Sequence, residues 1–414
     1  MPIMYPCQAG KFQTKGMGNK AMDLETVKKS IPRVTDLFLS FLRLGLTAFG
    51  GPAMVAYIEE MAVQRKKWLD AETFRSGVVL CQSIPGATAM QVAAYVGLQA
   101  RGLPGALASY VGFGLPAFVL MLVFAVVYVA ARGLPWVAAP FSGLQVIVVA
   151  IVANATYTFG KASLNHYKGV FVAAASALAF GLGLSPFYVI LGAALCGVLL
   201  LSRKPLAGPV TNQEKCESTT IPLFVLLGIM AAGLLLLYLL KPALFGLALL
   251  MLKIDLFAFG GGFASIPLML QEVVNVRGWL DSKTFMDGIA LGQVTPGPIV
   301  ITATFVGYLV YGLPGAFVAT IAIFAPSLLL LVGTAPFFHS LKKSPIFARA
   351  TQGILASFVG LLLYVTVRFA LAVPWDILRG VLAFVVLIAL LRKVDLLYIV
   401  LIGAAISLVL FQLR

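Results

Sequence analysis

Long apolar runs separated by short polar connectors occupy nearly the whole chain. They fall at about 36–58, 74–99, 106–131, 136–160, 167–183 and 185–202, then at about 221–240, 243–266, 285–310, 314–334, 348–371, 376–391 and 394–412. A helix needs about 20 apolar residues to cross a hydrocarbon core about 30 Å thick. The pattern therefore predicts an all-α polytopic membrane protein with about thirteen segments, some of them short or re-entrant. Whether 36–58 spans or turns back stays open at this point. Two stretches stand outside the pattern: residues 1–35, polar and Lys-rich, which read as a flexible tail with Met22 as an alternative start, and 203–219, a polar linker. The expected organisation is a tail (1–35), a first repeat (36–202), the linker (203–219) and a second repeat (220–414) that carries an extra leading helix.

The word repeat rests on identities that recur at one displacement. Ala48-Phe49-Gly50-Gly51 matches Ala258-Phe259-Gly260-Gly261, and Trp68-Leu69-Asp70 matches Trp279-Leu280-Asp281. Gln82 with Pro85-Gly86 matches Gln293 with Pro296-Gly297, and Gly102-Leu103-Pro104-Gly105-Ala106 matches Gly312-Leu313-Pro314-Gly315-Ala316. The displacement is 210 or 211 residues throughout. Seven segments separate the two starting points, an odd number, so the copies are expected to be inverted in the membrane, as in many secondary transporters.

Two of the matched stretches break their helices. A residue before proline is pushed out of the α region, so Thr295 and Gly297 in Thr295-Pro296-Gly297-Pro298 are expected to be non-helical. From Phe285 to Pro296 a helix rises roughly 16 Å, about half the hydrocarbon thickness. The break, like its partner at Pro85-Gly86, is expected near the bilayer midplane, where unwound backbone survives only if protein or a wet cavity surrounds it. A half-helix that starts there aims free N–H groups inward and suits an anion. Gln82, Ser83, Thr88, Gln293 and Thr295 flank the breaks and supply uncharged donors. The glycine turns Gly50-Gly51 and Gly260-Gly261 are either tight helix contacts or a second pair of broken helices with a gating role.

Composition agrees with this picture and narrows it. Of the 414 residues, 61% are hydrophobic and 11% charged, and the mean hydropathy is +1.00. No soluble catalytic domain is visible, and no apolar leader precedes residue 36. The net charge of +15 reflects basic residues in short loops beside the spans, not a nucleic-acid surface. With the basic tail placed in the cytoplasm, most loop charges fall inside. Arg65, Lys66, Lys67 and Arg75 do not, and Arg277 and Lys283 count as inside. Cys7, Cys81, Cys196 and Cys216 lack metal-ligand spacing, and His166 and His339 sit in apparent loops, so no metal or cofactor is expected.

Charges within apolar runs each need a reason, since each costs about 2.5–3.5 kcal/mol on insertion scales. Arg43 and Lys253 are equivalent in the repeat and together suit a dianion, at the site or in its vestibule; the alternative is snorkelling to the headgroups. Asp255, whose equivalent is Gly45, is a candidate proton-coupling or gating carboxylate, or else a structural partner. Glu60, Glu272 and Asp287 lie near segment ends, where solvated charge is expected. Among the apolar segments no nucleophile stands beside a base, which argues against an enzyme.

At the Phe-Gly-Gly turns, the Trp-Leu elements and the Gln-x-x-Pro-Gly breaks, present in order in both halves over residues 36–412, the chain resembles the chromate ion transporter family of the two-domain, long-chain type. The first copy reads Gln82-Ser83-Ile84-Pro85-Gly86-Ala87 and lacks the second proline. The resemblance implies a plasma-membrane protein that exports chromate, with sulfate as a structural mimic, by repeats that rock to give alternating access. A homodimer is compatible with it. A channel, or a carrier of sulfate or another oxyanion, remains the alternative, ahead of an intramembrane enzyme.

Overall fold

The computed structural model describes residues 32–49, 53–131, 133, 135–164, 166–201 and 220–412. Residues 1–31, 50–52, 132, 134, 165, 202–219 and 413–414 lie outside the described residues, and with them the expectations placed on Gly50 and Gly51. All described regular structure is helical. The helices are α1 (Val34–Thr47), α2 (Ala53–Glu59), α3 (Ala71–Ser83), α4 (Thr88–Ala131), α5 (Pro135–Ser163), α6 (Tyr167–Gly181), α7 (Pro186–Leu200) and α8 (Thr220–Leu240). They continue as α9 (Pro242–Phe257), α10 (Ser265–Met269), α11 (Ser282–Val294), α12 (Thr302–Thr334), α13 (Phe338–Lys343), α14 (Pro345–Ala372), α15 (Ile377–Leu391) and α16 (Leu396–Gln412). Five stretches are long and apolar enough to cross a membrane: Thr88–Ala131, Pro140–Ser163, Leu223–Leu240, Ile299–Phe337 and Pro345–Ala372. The protein is a multi-pass membrane protein.

The long helices α4 and α12 are each two arms. Gly102 and Gly312 both adopt φ +63, a conformation that glycine alone takes without strain, and each folds its helix back on itself. The arms touch backbone to backbone: a Cβ on Gly97 would collide with the Gly105 carbonyl, and one on Gly307 with the Gly315 carbonyl. The short arms (88–100 and 302–310) then run back along α3 and α11. Tyr95 donates to the Thr73 carbonyl at 3.4 Å. A straight helix would hold residues that far apart in sequence about 33 Å from one another. In the second copy a Cβ on Gly288 would press into the Phe305 ring. The breaks at Pro85-Gly86 and at Pro296-Gly297-Pro298 are therefore tips of re-entrant hairpins as well as interruptions of a helix.

α1 and α2 do the same. Pro32, at the start of α1, accepts a 2.9 Å bond from Arg101, and Phe41 of α1 stacks on Trp68 beyond α2 at 6.5 Å. In the second copy Lys253 of α9 reaches Glu272, beyond α10, at 3.2 Å. Segment 36–58 is thus re-entrant, and so is its counterpart, which breaks at Ala258–Gly261 between α9 and a short 3-10 turn, Gly262–Ala264.

Between the copies lie the long arm of α4, α5, the shorter pair α6 and α7, which returns the chain to one side as Lys168 bonds the Leu200 carbonyl, and α8, so the number of crossings is still odd. The inversion is visible in the packing of equivalent helices. Along the long arms of α4 and α12, Tyr110 bonds the Phe324 carbonyl while Phe118 meets Phe317, so the arms run antiparallel. On α5 and α14, Thr156 Oγ1 lies 3.2 Å from Thr366 Oγ1. These two residues are repeat equivalents, 210 positions apart, and mark where the pseudo-twofold axis passes.

Two layers result. α1–α4 and α9–α12 form a core, in which α1 packs on α4 and α9 on α12. Around it the outer helices interlock: α6 and α7 of the first copy pack on α14 of the second, and α15 and α16 pack on α5. The interlock is close, because Gly197 and Gly353 meet at their backbones and Gly360 meets the Ala173 carbonyl.

Re-entrance also rearranges the charges. The α1 start, the α2–α3 connector and the α4 turn share one side of the molecule, so Arg65, Lys66, Lys67, Arg75 and Arg101 join Lys161, Lys168, Lys343, Arg349, Arg392 and Lys393 there. The opposite side holds Lys241, Arg277, Lys283, Arg368 and Arg379. The conflict posed by Arg65, Lys66, Lys67 and Arg75 disappears, and Arg277 and Lys283 change sides.

Candidate functional site

Both hairpin tips converge on the break that follows α9. The Gly86 N–H donates to the Ala258 carbonyl at 3.0 Å, and a Cβ on Gly261 would come 3.5 Å from Thr88 Oγ1. On the other flank, a Cβ on Gly262 would come 2.8 Å from Ile299 and 3.2 Å from Val300, just past the second tip. Each tip also docks on the opposite copy. Gly86 packs against Ser327 on α12, and Gly297 against Ala117, the equivalent residue, on α4. Both tip glycines have positive φ, +115 and +130, so proline before them and glycine within them are what the reversal requires.

Symmetry ends at the polar atoms. At the first tip the two donors of the turn are used, Gly86 N–H by Ala258 and Ala87 N–H by Ser327 Oγ at 3.1 Å, while Thr88, Ala89 and Met90 carry the free N–H groups of a helix start among the described residues. Ser327 in turn gives its N–H and its hydroxyl to Asp255 Oδ2, at 2.8 and 2.7 Å. Gln91 braces the same tip through Nε2, 2.6 Å from the Pro85 carbonyl and 3.4 Å from that of Ser327. At the second tip the N–H groups of Gly297, Ile299 and Val300 make no bond among the described residues, and Ile301 is the first to find a carbonyl, that of Pro298. Close by in sequence, Gln293 Nε2 is buried and unpartnered. The tips differ at their turn donors: Gly86 and Ala87 are filled at the first, whereas Gly297 N–H and, close by in sequence, Gln293 Nε2 are unfilled at the second.

The remaining candidate residues sort as follows. Pro85, Gly86, Pro296, Gly297 and Pro298 are buried, Ser83 and Thr88 half-buried, and Gln82 exposed. Ser83 and Thr295 give their hydroxyl hydrogens to the Val79 and Gly292 carbonyls of their own helices, which leaves only acceptor lone pairs to anything else. Gly260 packs on Phe159 and Leu355. Arg43 lies on an exposed face of α1. Lys253 also lies on an exposed face, half-covered, with its ammonium 3.2 Å from Glu272 and 3.6 Å from the centre of the Phe187 ring.

Two acids differ from expectation. Asp287 is buried, taking bonds of 2.9 Å from both Tyr128 and Gln145. Glu272 is buried between Lys253 and Arg277. Their nearness to segment ends suggested solvation; re-entrance folds those ends against neighbouring helices. Sequence reasoning also passed over Gln91 and Ser327. The available signal was asymmetry, because the equivalents of Gln91, Ser327 and Asp255 are the apolar Ile301, Ala117 and Gly45.

Comparison with known proteins agrees with the duplicated architecture. A chromate transporter domain matches twice, over residues 35–198 and 245–408. The chain is 44% identical over 379 residues to an uncharacterized transporter of Methanocaldococcus jannaschii, covering 91% of this chain and 94% of that protein. It is 32% identical over 357 residues to the chromate transport protein of Cupriavidus metallidurans, covering 86% and 87%. With a probable chromate transport protein of Synechococcus elongatus it shares 30% identity over 326 residues, covering 77% and 80%. No solved structure matches. Two copies of one domain, inverted and interlocked in a membrane-spanning bundle, place this chain in the chromate transporter family.

Proposed function

We propose that this protein carries chromate out of the cell across the plasma membrane by alternating access, with sulfate as a mimic that competes for the same site. The observation that carries the reading is the second hairpin tip, where among the described residues Gln293 Nε2 and the Gly297 N–H lack partners beside the free first-turn N–H groups of Ile299 and Val300. Unfilled donors in a mid-membrane setting are costly unless something accepts from them, and a tetrahedral oxyanion presents acceptors on every side. The N-terminal end of the short α12 arm adds a positive dipole end. Arg43 and Lys253, on exposed faces, act as vestibule cations that draw a dianion in. Lys253 is partly neutralised by Glu272, so it attracts the ion without trapping it.

The interlock of α6 and α7 with α14, and of α15 and α16 with α5, binds the two repeats into one outer frame. Rocking of whole repeats would separate the glycine contacts at Gly197–Gly353, so the moving body is the core of α1–α4 and α9–α12 against that frame. The more basic side, which includes the start of α1, faces the cytoplasm. A second copy packs on the outward face of α8, whose other face lies against α9 and α12 and whose Phe224, Ile229, Leu235 and Leu236 are exposed; native mass spectrometry reads that directly.

Chromate flux into proteoliposomes, with and without sulfate, tests the substrate. Saturable flux with competition by sulfate is expected, and flux against an electrochemical gradient excludes a channel. No flux, or flux indifferent to sulfate, removes the assignment.

A further inference from the structure

The buried network at the first tip holds two oxygens with nothing to accept from: Asp255 Oδ1 and Gln91 Oε1. Both residues are fully buried, at 0% exposure. Both are tied to Ser327, Asp255 through the Ser327 N–H and hydroxyl and Gln91 through the Ser327 carbonyl. The Gln91 amide cannot turn round to relieve its oxygen, because Nε2 already faces two carbonyls, those of Pro85 and Ser327. The unmet side-chain atoms here are acceptors, whereas the one beside the second tip, Gln293 Nε2, is a donor. Asp255 also sits in the last turn of α9, at the negative end of that helix dipole.

Among the described residues no basic side chain pairs with Asp255. α8, α10 and α12, which pack against α9, contain no acidic or basic residue. From α4 the titratable group facing Asp255 is Tyr110, whose hydroxyl donates to the Phe324 carbonyl at 2.7 Å. On α9 itself, Lys253 is engaged with Glu272. A buried carboxylate with one bare oxygen and no counter-charge is a costly arrangement unless a cation completes it. The three polar residues occur together in one copy and are replaced together by Gly45, Ala117 and Ile301 in the other, so the arrangement exists once per molecule.

We propose that Asp255 Oδ1 and Gln91 Oε1 bind a monovalent cation, a proton or a sodium ion, and that this ion couples the transport cycle to an ion gradient. Its grip on the transporter follows from the hydrogen bonds. An ionised carboxylate is a stronger acceptor than a neutralised one, so loading the site weakens the Asp255–Ser327 pair and with it the Ser327 bond to Ala87 that holds the first tip. Cation occupancy thereby sets how firmly one hairpin is docked on the other repeat.

The role in transport rests on the oxyanion reading, but the site can be measured with no oxyanion present, so the two can fail separately. Purified protein is compared in sodium and choline chloride at matched ionic strength by thermal unfolding, and proton uptake on acidification is followed with a pH indicator. For wild type, either sodium raises the apparent Tm over choline, which identifies the sodium ion, or acidification binds a proton, absent in Asp255→Asn, whose midpoint moves in Gln91→Leu, which identifies the proton. Asp255→Asn and Gln91→Leu should each abolish the response or weaken its apparent affinity at least tenfold. Should Asp255→Asn not fold, Gln91→Leu decides alone, since the equivalent position is already occupied by Ile301. A wild type that shows neither response, or variants that respond like wild type, overturns the proposal.

Discussion

Replacing Gly86 by alanine probes the docking of one repeat on the other. At φ +115 a side chain is strained, at a cost of about 1–3 kcal/mol. The new Cβ would also overlap Ser327 Oγ and come within 2.9 Å of Gln91 Nε2, so the tip must retreat. Retreat stretches two buried bonds, Gly86 N–H to Ala258 and Ala87 N–H to Ser327, each worth about 1–3 kcal/mol if the donor is left unmet. The strain and one lost bond give a loss of about 2–6 kcal/mol, large against a typical total of about 5–15 kcal/mol. Gly297→Ala is the internal control. Its φ, +130, is equally unfavourable, but its Cβ meets only the Ala117 methyl, at 2.8 Å, and breaks no hydrogen bond. Chemical unfolding in mild detergent, followed by tryptophan fluorescence, should rank wild type above Gly297→Ala above Gly86→Ala. Equal stability of the two glycine variants would show that the tips are not docked as described.

Other consequences can be checked independently. In a cysteine-free background, Thr156→Cys with Thr366→Cys should form an intramolecular cross-link under mild oxidation, seen as a shift in gel mobility, because the two hydroxyls lie 3.2 Å apart; failure to cross-link moves the pseudo-axis. Membrane-impermeant maleimide should label Lys66→Cys and Arg101→Cys from one side and Arg277→Cys from the other; opposite labelling of the first two contradicts re-entrance. Lys253→Met should lower stability by no more than about 1 kcal/mol, since its ion pair is half-exposed, yet raise the KM for oxyanion flux. Unchanged flux kinetics in that variant return Lys253 to the headgroups. Asp287→Asn keeps the size of the side chain but loses an acceptor for Tyr128 or Gln145, and should cost about 1–3 kcal/mol in unfolding assays; no loss would mean that this pairing contributes nothing.

The duplication and the positions of the breaks were legible because they depend on residues whose backbone preferences are local. Proline disfavours helix at the residue before it, and the recurring pairs Pro85-Gly86 and Pro296-Gly297 show where each hairpin turns. Re-entrance was not legible. A half-helix, a break and a second half-helix contain the same length of apolar sequence whether the chain crosses the bilayer or returns, and only contacts such as Tyr95 with Thr73 distinguish the two. The error spread to everything counted through it: the side of Arg65, Lys66 and Lys67, and the solvation of Asp287 and Glu272. The polar asymmetry of the tips was hidden for another reason. Gln293 and Gln82 are identical in type and equivalent in position, and what separates them is burial, with Gln82 exposed and Gln293 Nε2 buried without a partner, a property of tertiary packing.

That asymmetry is also the most exposed part of the account, and one measurement addresses it. Chromate transport kinetics in proteoliposomes should be compared between Gln293→Leu and Gln82→Leu at equal amounts of folded protein. Gln293 holds an unmet buried donor and Gln82 is exposed, so the account expects at least a tenfold loss in kcat/KM for the first and little change for the second. Equal losses in both, or a loss confined to Gln82→Leu, would contradict an oxyanion site at the second tip.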